Sequence, residues 1–451
     1  MIYKALFKNI LYPVYESGIR RRKTLHYLKK LNQNQWMSLD ELQALQWGEL
    51  KKLLNHAYEQ SPYYRGLFQT LNIHPDDIKS HSDFLKFPIC SREEMVNHNQ
   101  EMVARNYKDK VSLKTTGGST GVPVQFALDR NSYEWRTAAA QRGYQWANCE
   151  AGQHTLYIWG VDVGNPSFVS RAKNALYHRL FNRTMFNCFN FDDKEMQRCL
   201  EFINAKRPTG IVSFTTAIYN LAKYIDDNDL QCASVPSIIT GAEKLYDYQR
   251  ELMEKVFQTK VFNTYGCREV MLIAAECEKH EGLHVTMDNL FVEILKDGKP
   301  AAPGESGEVV ITDLHNYGMP FIRYKNGDIA VQSAEACSCG RGLPLIKDID
   351  GRKMDEIVAC DGKVVSGGFF PHLLKEIDEI QKFQVIQKTS NNLVIKLVQK
   401  QNIKAQQLEF CSAEIKKVLG DEMEIDFQFV DEIPLTPSGK YRVTISEIAQ
   451  R

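Results

Sequence analysis

The chain has 451 residues, 43% hydrophobic and 25% charged, with Lys plus Arg and Asp plus Glu at 56 each. That length calls for two or three domains with a sizeable core; the even charge gives no footprint for nucleic acid, and no apolar run reaches the roughly 18 residues of a membrane span. Eleven cysteines scattered from Cys90 to Cys411 do not make a disulfide framework and suit a reducing compartment, so with no signal-peptide core in front a cytoplasmic protein is expected.

The first thirty residues carry Lys4, Lys8, Arg20, Arg21, Arg22, Lys23, Lys29 and Lys30 against the single acid Glu16. Such a segment suits contact with an anionic membrane surface on the inner face, and equally a solvated helical arm. From Ser38 to about Tyr64 a Ser-x-x-Glu capping box opens a run of apolar residues at three- and four-residue spacing, which predicts a helix stopped by Ser61-Pro62. Residues 114–126 then read KTTGGSTGVPVQF. Its glycines let successive N–H groups converge, and its hydroxyls add donors, so the loop suits an anion such as phosphate, or a plain surface turn. Neither the Walker loop nor the dinucleotide fingerprint fits, because Val122 and Pro123 follow Gly121.

Short β-rich runs (HTLYIWG, GIVSF, VPSIIT, KVFNTYG) alternate with helical stretches (AIYNLAKYIDD, YDYQRELMEKVF) through the middle of the chain. This is the pattern of a parallel sheet covered by helices, whose ligands sit at the carboxyl ends of the strands. TGAEKL and NTYGCREV fall at such ends. From Glu305 to Asp328 two strand-like runs flank an Asn-Tyr-Gly turn, predicting a smaller antiparallel or barrel-like layer. After Gly351-Arg352 come FQVIQ, an Asn391-Asn392 turn, LVIKLV, a helix over 403–419 capped by Gly420, and MEIDFQFV. The expected fold is therefore α/β, with a large domain over 1–350, including a helical leader over 1–65, and a small α+β lid domain over 351–451.

Taken in order, TTGGSTG, GAEK, YGCRE, GEVVIT, RYKNGD, GRKMD and PLTPSGK give the chain a resemblance to the adenylate-forming superfamily. Within it the chain is most similar to the phenylacetate-CoA ligase branch and its CapK-like relatives in capsular polysaccharide biosynthesis, and HAYEQSPYYR near the N-terminus fits that branch too. Each motif alone is weak, but their order covers nearly the whole chain.

The resemblance implies roles residue by residue. Thr115, Thr116, Gly117, Gly118, Ser119, Thr120 and Gly121 would wrap the β- and γ-phosphates of ATP. Gly241, Ala242 and Glu243 would line the adenine; Tyr265, followed by Gly266, would pack on the purine face. Glu269 would hold the magnesium ion that bridges phosphate oxygens, a hard ion suited by a carboxylate. Asp328 would accept both ribose hydroxyls, and Arg352 would reach the ribose and phosphate. Alone, Tyr265 reads as a core aromatic, Glu269 as a surface acid and Asp328 as a turn residue after Asn326-Gly327. Lys440 would bridge the attacking carboxylate and the α-phosphate, where two anions meet. Two positions depart from the family pattern: Val122 stands where a lysine is usual, and Lys353-Met354-Asp355 replaces the usual pair of aspartates at the hinge.

Cys277 lies in CEKHEGLH, and Cys337 and Cys339 lie in ACSCGRG. With His284 or His280 they suit a closed tetrahedral zinc site, or remain free thiols beside surface histidines; the GLH element in the resembling branch favours His284. The expected activity is an ATP- and magnesium-dependent ligase that makes an acyl-AMP from a carboxylic acid and passes the acyl group to coenzyme A or an amine. The segment IWGVDVGNPSF, with Phe214 and Thr215, is expected to line the acid pocket. Two alternatives stand beside it: a catalytically silent nucleotide-binding scaffold in a capsule or O-antigen pathway, suggested by Val122 and Met354, and a zinc hydrolase, which a closed site would exclude.

Overall fold

The Ser38 hydroxyl accepts from the Glu41 amide, and the Glu41 carboxylate accepts from the Ser38 amide at 2.8 Å, so the capping box forms as the sequence predicts. The helix runs Leu39–Gln60. Proline then does more than stop it: Ser61 caps a second helix, Pro62–Thr70, with Pro62 in the first turn, where a missing N–H is free of cost. The computed structural model describes residues 2–115, 125–160, 168–350, 356–374, 377, 379–433 and 443–448. It divides into two compact units that interleave along the chain.

The first unit holds residues 1–114, 124–151 and 262–351. Its strands lie in the order Lys299–Pro300, Leu290–Lys296, Ser306–Asp313, Tyr324–Gln332, Leu345–Asp350, Leu283–Val285, Met271–Glu276 and Val261–Cys267. Neighbours pair antiparallel throughout. The two runs predicted around the Asn-Tyr-Gly turn pair antiparallel as the third and fourth strands of this layer. Val261–Cys267 pairs antiparallel with Met271–Glu276, because the short 268–270 connection cannot make the crossover a parallel pairing between them would need.

Helix Arg130–Trp146 packs on this unit and sends two arginines inward. Arg142 meets Asp288 at 2.7 and 2.8 Å, both side chains fully buried, and Arg136 meets Asp313 at 3.1 Å. Removing one partner strands a buried charge. Arg142→Ala should therefore cost about 3–5 kcal/mol, read as a lower denaturant midpoint, whereas an unchanged midpoint would show that the pair carries no such weight.

The second unit holds residues 115–123, 152–261 and 352–451. Ile238–Gly241, Gly210–Phe214, Thr155–Trp159 and Arg183–Asn187 form its parallel strands in that order. Helices Asp193–Lys206, Thr215–Asp227 and Asp247–Phe257 follow them in the chain as the sequence pattern requires. A second sheet orders Glu424–Phe429, Asn392–Gln399, Ile380–Thr389 and Thr444–Ser446. Helix Ala405–Leu419 buries Cys411, Ile415 and Leu419. Gly420 ends it at φ 107°, a value costly for any residue with a Cβ.

Candidate functional site

In the first unit the strand Tyr324–Gln332 is interrupted opposite Glu308 to Val310, where the register shifts and Asn326, Gly327 and Asp328 bulge out. The Asn326 side chain accepts from the Asp328 amide at 3.0 Å and donates to the Asp328 carboxylate at 2.7 Å. Tyr265 donates its hydroxyl to Asp328 Oδ2 at 2.8 Å and accepts from Asn326 Nδ2 at 2.9 Å. Asp328 is thus a half-buried carboxylate held in one orientation, an arrangement typical of bulges beside functional sites. Burial pushes the Tyr265 phenol well above its ordinary pKa, the nearby Asp328 charge adding to it. Tyr265 is therefore a neutral donor at any working pH.

Tyr265 itself lies at a second bulge, between Tyr265 and Gly266. A Cβ at Gly266 would sit 2.0 Å from the Met271 carbonyl oxygen, so only glycine lets the hairpin close there. Within the hairpin turn, Glu269 is 4% exposed. Its Oε1 accepts from the Tyr324 hydroxyl at 2.9 Å and lies 3.5 Å from Arg92 Nη1, which is also 3.4 Å from the Tyr324 hydroxyl. Two carboxylates, Glu269 and Asp328, are thus built into one layer by Tyr324, Asn326 and Tyr265. Glu269 offers one carboxylate, the ligand type a hard divalent cation takes, with Arg92 beside it.

The sequence reading named Tyr265, Glu269 and Asp328 but missed Arg92, Tyr324 and Asn326. Tyr324 and Asn326 were within reach, because RYKNGD carries all three strand residues. Arg92 is not, since it lies far along the chain from Glu269 and only the fold joins them.

In the second unit the chain leaves strand Ile238–Gly241 through Ala242 at φ 68°, a left-handed turn that redirects Glu243. Helix Thr215–Asp227 has no cap from the preceding Phe214. Glu243 supplies it: Oε2 accepts from the Thr216 amide at 2.8 Å, and the Glu243 carbonyl accepts from the Thr215 hydroxyl at 3.3 Å. A carboxylate at a helix N-terminus is favoured by the helix dipole. Burial nonetheless pushes the Glu243 carboxyl up, with Ser366 and Thr216 opposing and Glu356 adding to the rise. The Thr216 hydroxyl reaches Glu356 at 3.4 Å. Trp159 and Phe214 meet edge to face at 4.7 Å, and Phe189 packs on Phe214, which gives this end of the parallel sheet aromatic walls.

Thr115 ends strand Val111–Thr115. Thr116, Gly117, Gly118, Ser119, Thr120, Gly121 and Val122, residues 161–167 of the expected acid pocket, Arg352, Met354 and Lys440 lie outside the described residues.

The Cys277, His284, Cys337 and Cys339 donor atoms all lie within 4.8 Å of one another, also in the first unit. Cys277 Sγ is 3.6 Å from Cys337 Sγ, and Cys339 Sγ is 3.4 Å from His284 Nε2. His284 Nδ1 lies 3.2 Å from the Leu343 carbonyl; a proton donated there leaves Nε2 as the ligating atom. Burial drives the His284 pKa down to about 4, so the ring is neutral, and burial pushes the Cys277 and Cys337 thiols up. The Lys279 and Arg341 amides point at Cys277 and Cys339 sulfur at 3.5 and 3.4 Å. His280 instead faces Glu276 at 3.1 Å, which decides between the two histidines. Three sulfurs and one nitrogen at this spacing fit a tetrahedral ion with no position left for water.

Residues 357–447 match the family described as the CapK C-terminal domain. Over 458 aligned residues, 98% of this chain and 97% of the relative, the chain is 24% identical to Protein CapK of Staphylococcus aureus. It is 27% identical to phenylacetate-coenzyme A ligase of Escherichia coli over 79% of each chain. The chain is thus similar to CapK over nearly its whole length. Among solved structures, 2-hydroxyisobutyryl-CoA ligase, in complex with 2-HIB-AMP and CoA, superposes with a TM-score of 0.61 at 17% identity, covering 92% of this chain and 91% of that one. The chain therefore has the fold of that ligase.

Proposed function

We propose that this chain is an AMP-forming acid ligase: it activates a carboxylic acid as an acyl-AMP, releases pyrophosphate, and transfers the acyl group to a thiol or amine. The observation that carries the reading is the Tyr265–Asn326–Asp328 bonding beside Tyr324–Glu269 in one layer. Similarity to CapK and to phenylacetate-CoA ligases supports it along the length of the chain.

In this reading Asp328, oriented by Asn326 and Tyr265, accepts the ribose hydroxyls of ATP, and Glu269, steadied by Tyr324, would hold magnesium. When bound, magnesium neutralises phosphate charge as pyrophosphate leaves. Gly241, Ala242 and Glu243 border the base, and the loop Thr115–Gly121 takes the phosphates. Residues 351–451 act as a small moving domain that brings Lys440 to the α-phosphate and withdraws it afterwards. Zinc held by Cys277, His284, Cys337 and Cys339 is structural, tying the 277–284 segment to the 337–339 turn. Coenzyme A suits the phenylacetate-ligase likeness, whereas an amine-bearing sugar acceptor in surface polysaccharide assembly suits the CapK likeness.

Acid-dependent exchange of labelled pyrophosphate into ATP, screened over aryl, fatty, amino and uronic acids, tests the reading. Exchange with at least one acid is expected. Silence across all classes with ATP still bound would overturn it in favour of the nucleotide-binding scaffold. Glu269→Gln should lower exchange roughly 100-fold, since it weakens preorganised charge stabilisation, and higher magnesium should restore part of it; unaltered exchange would remove Glu269 from the metal site.

A further inference from the structure

The leader is wound as two stripes. Ile2–Leu6 is α-helical, while Phe7–Leu11 and Val14–Ile19 are π-wound. One stripe faces the body of its unit: Phe7 and Tyr12 are buried and stacked at 5.1 Å, and Glu16 is buried, accepting from Thr24 at 2.9 Å and Arg22 at 3.3 Å. Lys4 ties the helix down at Glu150 at 3.1 Å.

The other stripe has no cover. Leu6, Ile10, Val14 and Ile19 are all exposed, Ile10 by 54%, Val14 by 53% and Ile19 by 70%. Their spacings of four, four and five residues follow the winding as it loosens from α to π, which keeps them on one face. Exposed single apolar residues are ordinary, but a continuous stripe on an anchored helix is an interaction surface.

Charge decides the occupant. Glu16, the one acid in the first thirty residues, is buried and used internally, whereas Arg20, Arg21 and Lys23 are exposed at the end of the stripe and Lys8 is mostly exposed beside it. A second copy docking here would bring one basic segment, its single acid buried, against another. An anionic lipid surface accepts the apolar stripe between its headgroups and the cations at its phosphates. We propose that residues 2–23 seat this protein on an anionic membrane surface, lying in the headgroup plane with Leu6, Ile10, Val14 and Ile19 inserted.

The test is flotation of the full chain with vesicles of phosphatidylglycerol and phosphatidylcholine, and with phosphatidylcholine alone, at low and high salt. Binding is expected to the anionic vesicles only, and to be lost at high salt. Ile10→Glu with Val14→Glu should remove it, while Arg20→Gln with Lys23→Gln should weaken it about 25-fold, each cation being worth about fivefold near such a surface. All four side chains are exposed, so thermal unfolding should not change, and an unchanged melt shows that lost binding is not lost folding. No flotation by the wild type, or equal flotation by the Ile10→Glu, Val14→Glu variant, would overturn the proposal. So would a dimer in sedimentation that the same variant dissolves while flotation is absent, which would assign the stripe to a second copy.

Discussion

Lys440→Ala should abolish acid-dependent pyrophosphate exchange while leaving ATP binding nearly intact. The reasoning begins with charge. A carboxylate attacking the α-phosphate brings two anions together, and the barrier is lowered by a cation that meets the charge as it builds rather than one that holds the ground state. Loss of one such preorganised donor costs roughly 100- to 1000-fold in rate, whereas in the proposed reading nucleotide affinity rests on the 115–121 loop, Asp328 and the base contacts. Lys440 follows PLTPSG, and lysine is a compact charge on a flexible four-carbon stem. Exchange and equilibrium ATP binding, measured on the same preparation, separate the two effects. Full exchange in Lys440→Ala would sink the assignment, and equal loss of both would make Lys440 a binding residue.

The second large effect belongs to the sulfur cluster. Cys337→Ser with Cys339→Ser should release zinc and lower thermal stability, with exchange at low temperature spared. The four donors converge from segments about sixty residues apart in the chain, and His284 is already aimed by Leu343. Because ligands so arranged are absent from an unfolded chain, binding energy at such a site becomes folding energy. The removal of two of four donors should uncouple the 337–339 turn from the strand Leu283–Val285. Elemental analysis of the purified wild type gives the direct check, since a chain carrying no zinc would leave four unmetallated side chains and remove the prediction. Loss of exchange in proportion to lost metal at low temperature would instead place the ion in the chemistry.

Several features could be read from the chain alone, because they depend on neighbours in sequence. The Ser38 capping box, the βα alternation over 155–257 and the Gly420 helix end are set by spacing and by backbone freedom within a few residues. The motif order gave the adenylate-forming likeness for the same reason: each motif is a short run of residues that are neighbours in the chain.

Other features needed the fold. The antiparallel return of Met271–Glu276 against Val261–Cys267 follows from the length of the turn between them rather than from their β-rich composition. Arg92 and Glu269 meet only because distant helices and hairpins pack together, and Glu243 is drawn into capping a helix some thirty residues earlier. His284 and His280 have the same chemistry and nearly the same position in sequence; the strand pairing aims one at three sulfurs and leaves the other to Glu276. The leader shows the division most plainly. Its sequence supplied the basic charge, but which apolar side chains remain uncovered depends on Phe7, Tyr12 and Glu16 finding partners elsewhere in the unit. Sequence determines what is local, and long-range packing decides which polar groups face one another and which surfaces are left for a partner.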